Sequence, residues 1–320
     1  MQTYEIIITI GNCLSLCGAL VIFFLFFHFQ KLRQGFFSHT IIYITIGSLI
    51  QIIGIQLSSS YGMTNCKVSV SVLICGSLIM IFWSTIMIWA LKKLFNVYLN
   101  KGSLQELESM HNQLRNNEFK LLLCSFGIPI LLAIWPAVLD GATSEQQTNN
   151  FCYLYTTSHQ TSAVKIQVEI AKLISWEIPI IFYLIYSLMV LYNIKKFYEE
   201  IIDEIIFVEV KQIVKRLLAY PIITILCSFL FTIMDLETFF NVEIGGIQST
   251  ISWTMLSLWE FFNFFAYISQ SSVQEEVFRG NSKEQELNPL IPQDLEESIN
   301  ERDYFYQINS NMQESSQQNN

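Results

Sequence analysis

Charge is scarce in this chain of 320 residues: only 14% are Asp, Glu, Lys or Arg, while 52% are hydrophobic. Soluble globular domains carry about a quarter charged residues, so this chain has too few to cover a water-facing surface of its size. Glycine (13 residues) and proline (6 residues) are also few, which excludes a collagen-like chain and argues against a loop-rich β protein. Much of the surface is therefore expected to face lipid.

Clusters of chemically active residues are also missing. The four histidines are scattered along the chain, whereas a metal site needs several ligands close together. No basic run interleaved with aromatic residues supports nucleic-acid binding, and the last long apolar stretch has no lysine for a retinal Schiff base. We therefore predict no metal, no cofactor, no catalytic residue and no enzymatic activity.

Long apolar runs are abundant. A helix needs roughly 20 apolar residues to cross about 30 Å of hydrocarbon, and seven stretches meet this requirement. They predict an all-α membrane protein built as a seven-transmembrane helix bundle. The first stretch does not resemble a cleavable signal peptide, because it is too long and no basic segment precedes it. The predicted spans are 6–29, 40–57, 68–91, 119–139, 166–192, 213–234 and 247–269.

Lysine and arginine are distributed unevenly between the loops, and this sets the expected orientation. Cytoplasmic loops of membrane proteins carry an excess of basic residues. Twelve basic residues lie in or beside the loops after spans one, three and five, against three on the other side. We therefore expect a multipass protein of the plasma membrane, with its N-terminus outside and its C-terminus in the cytoplasm.

The acidity of the chain belongs to its C-terminal tail. Residues 271–320 hold ten acidic and three basic residues and end in a Gln/Asn/Ser-rich stretch, a composition typical of disorder. The sequence thus predicts a seven-helix domain at 1–270 and a disordered acidic cytoplasmic tail at 271–320. Glu286, followed by Leu290 and Ile291, matches an acidic dileucine signal that sorting adaptors read, although this short pattern also arises by chance.

Short segments in a particular order resemble a known family. They are NCLSLCG at 12–18, FGIP at 126–129, RLLAYP at 216–221 and WEFFN at 259–263 followed by Tyr267, with Cys66 and Cys152 between the first and third of these. In this order they resemble the G-protein-coupled receptors, and most closely the cyclic-AMP-receptor-like group that shares features with the secretin-like receptors. The resemblance covers residues 5–270.

The resemblance implies a cell-surface receptor that passes a small-molecule or peptide signal to a heterotrimeric G protein. It also implies a disulfide bridge between Cys66, just before span three, and Cys152 in the next outer loop. The Asp/Glu-Arg-Tyr and Asn-Pro-x-x-Tyr motifs of the rhodopsin-like class are missing, and no large ectodomain precedes span one. An unknown extracellular ligand is therefore expected among the helices and outer loops. No arginine is available there to hold a phosphate, so the family name does not identify the ligand.

Ionisable residues within spans are costly and point to function. Span five places four residues on one helical face, in steps of four, three and four: Lys165, Glu169, Lys172 and Trp176. Span seven has a similar stripe, with Glu260 at mid-span: Trp253, Ser257, Glu260, Asn263 and Tyr267. The predicted ligand-pocket residues are Glu169, Lys172, Trp176, Glu177, Trp253 and Glu260. Two alternatives stay open. Lys165 and Lys172 could snorkel to the outer interface with Glu169 as their partner, and Glu260 could lock the bundle without touching ligand.

The cytoplasmic ends of spans five and six suggest a segment that changes conformation. Pro221 in span six removes a backbone donor and predicts a hinge. Basic residues border the inner ends of spans five and six and are predicted to contact the G protein, namely Lys195, Lys196, Lys211, Lys215 and Arg216. The alternative is a solvated helical extension with ordinary positive-inside residues. For the whole chain, the alternative function is a multipass transporter or membrane scaffold of unknown substrate.

Overall fold

The computed structural model describes residues 3–33, 36–60, 66–99, 104–138, 142–144, 152–154, 161–200, 217–239, 246–270, 273, 274 and 277. Its helices are α1 Thr3–His28, α2 Phe36–Ser60, α3 Cys66–Leu99, α4 Leu104–Val138, α5 Ser162–Lys172, α6 Ile178–Glu200, α7 Ala219–Phe239, α8 Gly246–Ser257 and α9 Trp259–Ile268. A 3₁₀ turn, Gln30–Arg33, follows α1, and a π turn, Leu173–Glu177, joins α5 to α6.

Five helical segments are long and apolar enough to cross a membrane. They are Glu5–His28, Phe36–Leu57, Cys66–Val97, Asn112–Trp135 and Ser162–Lys195, and Ala219–Met234 is a shorter apolar helix. The first five predicted spans are confirmed as helices of this kind, and the protein is a helical, multipass membrane protein. The large apolar residues exposed on α1, α4 and α6 form the surface that lipid would cover.

The described helices pack into a closed circuit of neighbours, and α3 makes contacts on both sides of it. Going round the circuit, α1 contacts α2, α2 contacts α3, α3 contacts α4, and α4 contacts α5 and the π turn. On the other side α6 contacts α7, α7 contacts α8 and α9, and both α8 and α9 contact α1. Because α3 also contacts α6 and α7, it runs through the middle of the bundle, and most of its side chains between residues 73 and 95 are buried.

Helices α3 and α4 are longer than the sequence predicts. With 34 and 35 residues they extend about 50 Å each, well beyond about 30 Å of hydrocarbon. Hydropathy missed the first half of α4 because residues 104–118 are rich in polar side chains. The extension is held by a small apolar cluster in which Leu114 of α4 packs with Phe36 and Ala90.

Glycine allows α2 and α3 to approach backbone to backbone. A Cβ atom added to Gly54 would lie 2.5 Å from the backbone nitrogen of Leu73, and one added to Gly76 would collide with the backbone nitrogen of Gln51. Ser69 then reaches across the junction and donates its hydroxyl to the carbonyl of Gly54 at 2.8 Å. Small residues at membrane helix contacts permit such close approach, and this contact anchors α3 against α2.

The last predicted span, 247–269, is two helices. The helix is interrupted at Leu258, where the hydroxyl of Ser15 on α1 is inserted between two turns. Ser15 Oγ donates to the carbonyl of Ser257 at 2.6 Å and accepts from the backbone N–H of Phe261 at 3.1 Å. These are the two groups that an uninterrupted α-helix would pair with each other. A side chain inserted into the backbone ladder is an established cause of a kink.

One short sheet, which the sequence did not predict, lies in the loop between α4 and α5. Strands β1 Ala142–Ser144 and β2 Cys152–Leu154 pair antiparallel, with Ser144 opposite Cys152. Both strands contact α3, so the sheet lies against the central helix of the bundle.

Candidate functional site

A π turn lies within helix five, which comprises α5, the π turn and α6 together; helix six is α7, and helix seven is α8 with α9. Thr161 caps the start of α5 by accepting the backbone N–H of Val164. At the far end, the N–H of Ile178 reaches back five residues to the carbonyl of Leu173, which widens that turn. Three consecutive residues of this turn are buried: Ser175, Trp176 and Glu177. Such π turns are frequent at functional sites.

Two ionisable side chains of helix five are enclosed by protein. Lys172 is 1% exposed and Glu177 is 3% exposed. Lys172 therefore does not snorkel to the membrane interface, and that interpretation is wrong for this residue. Lys165 and Glu169 are half-buried and lie two turns and one turn before Lys172. A buried ionisable group in a membrane helix is a functional-site candidate, so the first half of helix five remains one.

Five side chains that the sequence places along one face of helix seven face the protein interior. Trp253, Ser257, Glu260, Asn263 and Tyr267 are each at most 1% exposed, as their spacing along one helical face predicts. Their helices α8 and α9 contact α1 and α7, and α9 also contacts α2. None of these side chains contacts lipid.

Glu260 is the most deeply enclosed carboxyl group among the described residues, at 0% exposure. The amide of Asn263 donates to its Oε2 at 3.1 Å, and the hydroxyls of Thr45 and Ser48 on α2 lie beside it. Within the described ranges no basic side chain forms an ion pair with Glu260. The carboxyl group therefore sits in a neutral polar cluster between helix seven and α2.

A row of three aromatic rings joins helices five, six and seven. The ring of Trp176 meets Phe231 of α7 edge to face at 5.3 Å between centroids, and Phe231 meets Trp253 of α8 in the same way at 5.1 Å. All three side chains are buried. The aromatic row thus connects two predicted pocket residues through a third that the sequence reasoning missed. No sequence signal pointed to Phe231, because span six also contains Phe229 and nothing in the sequence distinguishes the two.

The start of α7 is fastened to three neighbours. The helical pattern is interrupted at Leu218, just before Pro221, which has no N–H to donate to the preceding turn. The carbonyl of Pro221 accepts the hydroxyl of Tyr183 on α6 at 2.9 Å. Nearby, Thr224 shares a hydrogen bond of 3.0 Å with Ser84 of α3. These contacts fix the segment around the predicted hinge against α3 and α6.

Tyr220, one residue before Pro221, makes the third connection, because its hydroxyl accepts the amide of Gln270 at 3.0 Å. This bond ties the start of α7 to the residues that follow α9. Of the predicted G-protein contacts, Lys195 lies exposed near the end of α6. The side chain of Lys196 lies outside the described side chains, and Lys211, Lys215 and Arg216 lie outside the described residues.

The cysteines divide into two groups. Cys13, Cys17, Cys75, Cys124 and Cys227 are free. Cys66, the first residue of α3, is 1% exposed and disulfide-bonded. Cys152 is the first residue of β2, in the sheet that contacts α3, and its side chain lies outside the described side chains. The sorting pattern of Glu286, Leu290 and Ile291 also lies outside the described residues.

Comparison with known proteins adds no family. The chain matches no protein-family model, and no curated protein matches it. The arrangement of the residues themselves must therefore support any functional interpretation.

Proposed function

We propose that the protein is a G-protein-coupled cell-surface receptor of the cyclic-AMP-receptor-like type. In this proposal an extracellular small molecule or peptide binds among the outer halves of helices five, six and seven. The observation that carries the proposal is the aromatic row, in which Phe231 touches both Trp176 and Trp253. It unites the two halves of the predicted pocket, and it places helix six between them.

Helix six is also the segment that bears the predicted hinge. A ligand that changes the packing around Phe231 acts on the same helix whose start is held by Tyr183 and Ser84. A ligand can shift an equilibrium between two conformations of the protein only if it binds one of them more tightly than the other. We infer that the ligand favours a state in which the fastening around Pro221 is released. Basic residues at the inner ends of helices five and six would then receive the G protein.

The proposal includes seven membrane crossings. The five long apolar segments supply the first five crossings, α7 supplies the sixth, and α8 with α9 supplies the seventh. The excess of basic residues after spans one, three and five places the N-terminus outside and the tail inside. In this orientation Cys66 and the β1–β2 sheet lie on the outer side, where disulfides persist. We propose that Cys152 is the partner of Cys66.

Topology is tested with epitope tags. A tag at the N-terminus should bind antibody on intact cells, and a tag at the C-terminus should do so only after permeabilisation. Both tags on one side of the membrane would require an even number of crossings and would overturn the topology.

Coupling is tested with the purified protein in lipid nanodiscs and a panel of heterotrimeric G proteins. We expect one class to bind in the absence of nucleotide and to exchange GDP for GTP faster in the presence of the protein. Phe231→Ala should reduce this exchange, because it disconnects Trp176 from Trp253. Phe229→Ala is the matched control, since Phe229 lies on the same helix and is 49% exposed. Failure of every G protein to bind the wild type would exclude the receptor.

The inner contact surface needs its own variants. Replacing both Lys215 and Arg216 by alanine, or Pro221 by alanine, should lower coupling while surface expression is unchanged. Lys92→Ala removes an exposed positive charge from the inner part of α3 and serves as the control for charge alone. Normal coupling by an expressed Lys215/Arg216 double variant would show that the proposed G-protein surface is wrong.

A further inference from the structure

A hydrogen-bonded cluster outside the candidate ligand site joins three elements at the other end of the bundle. His39 lies in the first turn of α2. Its Nδ1 is 2.7 Å from Oε1 of Glu118 on α4, and its Nε2 is 2.8 Å from the carbonyl oxygen of Arg33 in the 3₁₀ turn after α1. Tyr43, one turn further along α2, donates its hydroxyl to the same Glu118 oxygen at 2.9 Å. One imidazole thus bridges the 3₁₀ turn and α4.

Counting donors and acceptors shows that this cluster is one proton short in its neutral-histidine form. A carbonyl oxygen only accepts, so the ring nitrogen facing Arg33 must carry an N–H. A neutral imidazole has a single N–H, and Nδ1 would then present a lone pair to a carboxylate oxygen at 2.7 Å. Two acceptors at that distance repel each other. An additional proton, held on either His39 or Glu118, converts the repulsion into a charge-assisted or neutral hydrogen bond.

The surroundings leave Glu118 without another cation. Its side chain is 15% exposed and that of His39 is 29% exposed. The nearest basic residues along the chain are Arg33, Arg115 and Lys120, and none forms an ion pair with Glu118 within the part of the chain that the structure describes. Glu118 therefore relies on the histidine for a positive partner.

The remaining neighbours are mostly aromatic. Phe26 of α1 meets the ring of His39 edge to face at 5.8 Å, and Tyr43 packs on Trp83 of α3 at 4.4 Å. Among the described residues, the titratable groups in contact with His39 are thus Glu118 on α4 and Tyr43 on α2, with no further charged side chain from α1 or α3. Low polarity on these sides strengthens a hydrogen bond that excludes water.

We propose that His39 and Glu118 form a proton-binding site, in which one bound proton ties the 3₁₀ turn after α1 to α4. The positive-inside pattern places this end of the bundle in the cytosol, so the proton is exchanged with cytosolic water. Tyr43 is a positioning residue, because its hydroxyl holds the Glu118 oxygen against the imidazole. The site does not depend on the proposed receptor function, since it requires neither a ligand nor a G protein.

The sign of the pH dependence follows from the proton count. When the folded protein holds a proton that the unfolded chain releases, stability falls as pH rises. A single linked proton changes the unfolding equilibrium by at most about tenfold per pH unit.

Two conservative variants test the proposal in the full-length protein in lipid nanodiscs. In Glu118→Gln the new amide nitrogen, placed where Oε1 lies, can donate one N–H to the lone pair on Nδ1 of a neutral His39 and the other to the hydroxyl oxygen of Tyr43. In His39→Asn the new amide nitrogen can donate to Glu118 without titrating. Both variants should therefore keep the connection to α4 without the additional proton. The measurement is the unfolding midpoint of each protein between pH 5.5 and 8.5.

The wild type should lose stability relative to both variants as pH rises, with the ratio of unfolding equilibrium constants changing several-fold and by no more than tenfold per pH unit. Parallel pH profiles for the wild type and Glu118→Gln would overturn the proposal, and so would parallel profiles for the wild type and His39→Asn. Failure of both variants to fold would also overturn it, because each is expected to retain a direct bond between α2 and α4.

Discussion

Replacing Ser15 with alanine is the most direct test of how helix seven is interrupted. Ser15 Oγ satisfies two backbone groups of another helix, the carbonyl of Ser257 and the N–H of Phe261. Alanine cannot bond to either group. The variant therefore asks whether these two groups can pair directly once the hydroxyl is removed, or whether α1 holds them apart.

The two outcomes differ in magnitude. A buried backbone group without a partner costs about 1–3 kcal/mol, so two such groups would cost about 2–6 kcal/mol. Direct pairing would restore the helix and leave a cost near the average of about 0.6 kcal/mol for interhelical hydrogen bonds in membranes. Gly11 of α1 is so close that an added Cβ would collide with Ser257 Oγ. Because α1 and α8 are already in contact there, we expect limited relaxation and a loss of about 2–3 kcal/mol.

Ser228→Ala is the matched control for this measurement. Ser228 is equally buried, and its hydroxyl donates at 2.6 Å to the carbonyl of Thr224 in its own helix. That bond is an additional one for a carbonyl already within the helix, so its loss should cost less than about 1 kcal/mol. The assay is reversible unfolding of the full-length protein in mixed micelles. Equal losses for Ser15→Ala and Ser228→Ala would refute the argument that Ser15 completes the backbone of helix seven.

Two further predictions concern packing and covalent structure. Gly76→Ala should destabilise the α2–α3 contact by several kcal/mol or prevent folding, because the new Cβ meets the backbone of Gln51. The control is Gly127→Ala, whose Cβ would have nothing within 4 Å and which should stabilise α4 by up to about 1 kcal/mol. Thermal unfolding compares the two variants, and equal effects would contradict the close approach of α2 and α3. Cys66 should resist a membrane-impermeant thiol reagent until it is reduced, and Cys66→Ser should make Cys152 reactive; labelling of both cysteines in the unreduced wild type would contradict the proposed bridge.

Composition and hydropathy predict the fold well where lipid determines the residue types. The first five spans needed only long apolar runs, and α1 to α6 contain them. The same reasoning underestimated α4, because residues 104–118 are polar and are held by contacts such as Leu114 with Ala90. Hydropathy measures transfer into lipid, so it does not predict where a helix continues outside the membrane.

The interruption of helix seven could not have been predicted from the residues around it. No proline is present between positions 247 and 269, and proline is the usual local signal for a kink. The cause lies 242 positions away in Ser15. A contact of this kind depends on how α1 docks against helix seven, which sequence periodicity does not contain.

The candidate site shows the same division between local and distant causes. The inward-facing stripe of helix seven follows from helical spacing, and residues 253 to 267 were predicted correctly as a polar face. For helix five, the predicted pocket residues Lys172, Trp176 and Glu177 are buried, but the sequence did not predict the π turn that contains the last two. Phe231 was missed, because its role comes from the two rings it meets rather than from its own type.

A kink produced by another helix differs physically from one produced by proline. A proline kink belongs to its own helix and persists wherever that helix moves. Here the interruption at Leu258 lasts only while Ser15 stays between Ser257 and Phe261. Glu260 lies two residues beyond the interruption, against Thr45 and Ser48 of α2. Withdrawal of α1 would let the Phe261 N–H approach the Ser257 carbonyl, straighten the helix and turn Glu260 relative to α2. The docking of α1 therefore sets the orientation of the buried carboxyl group.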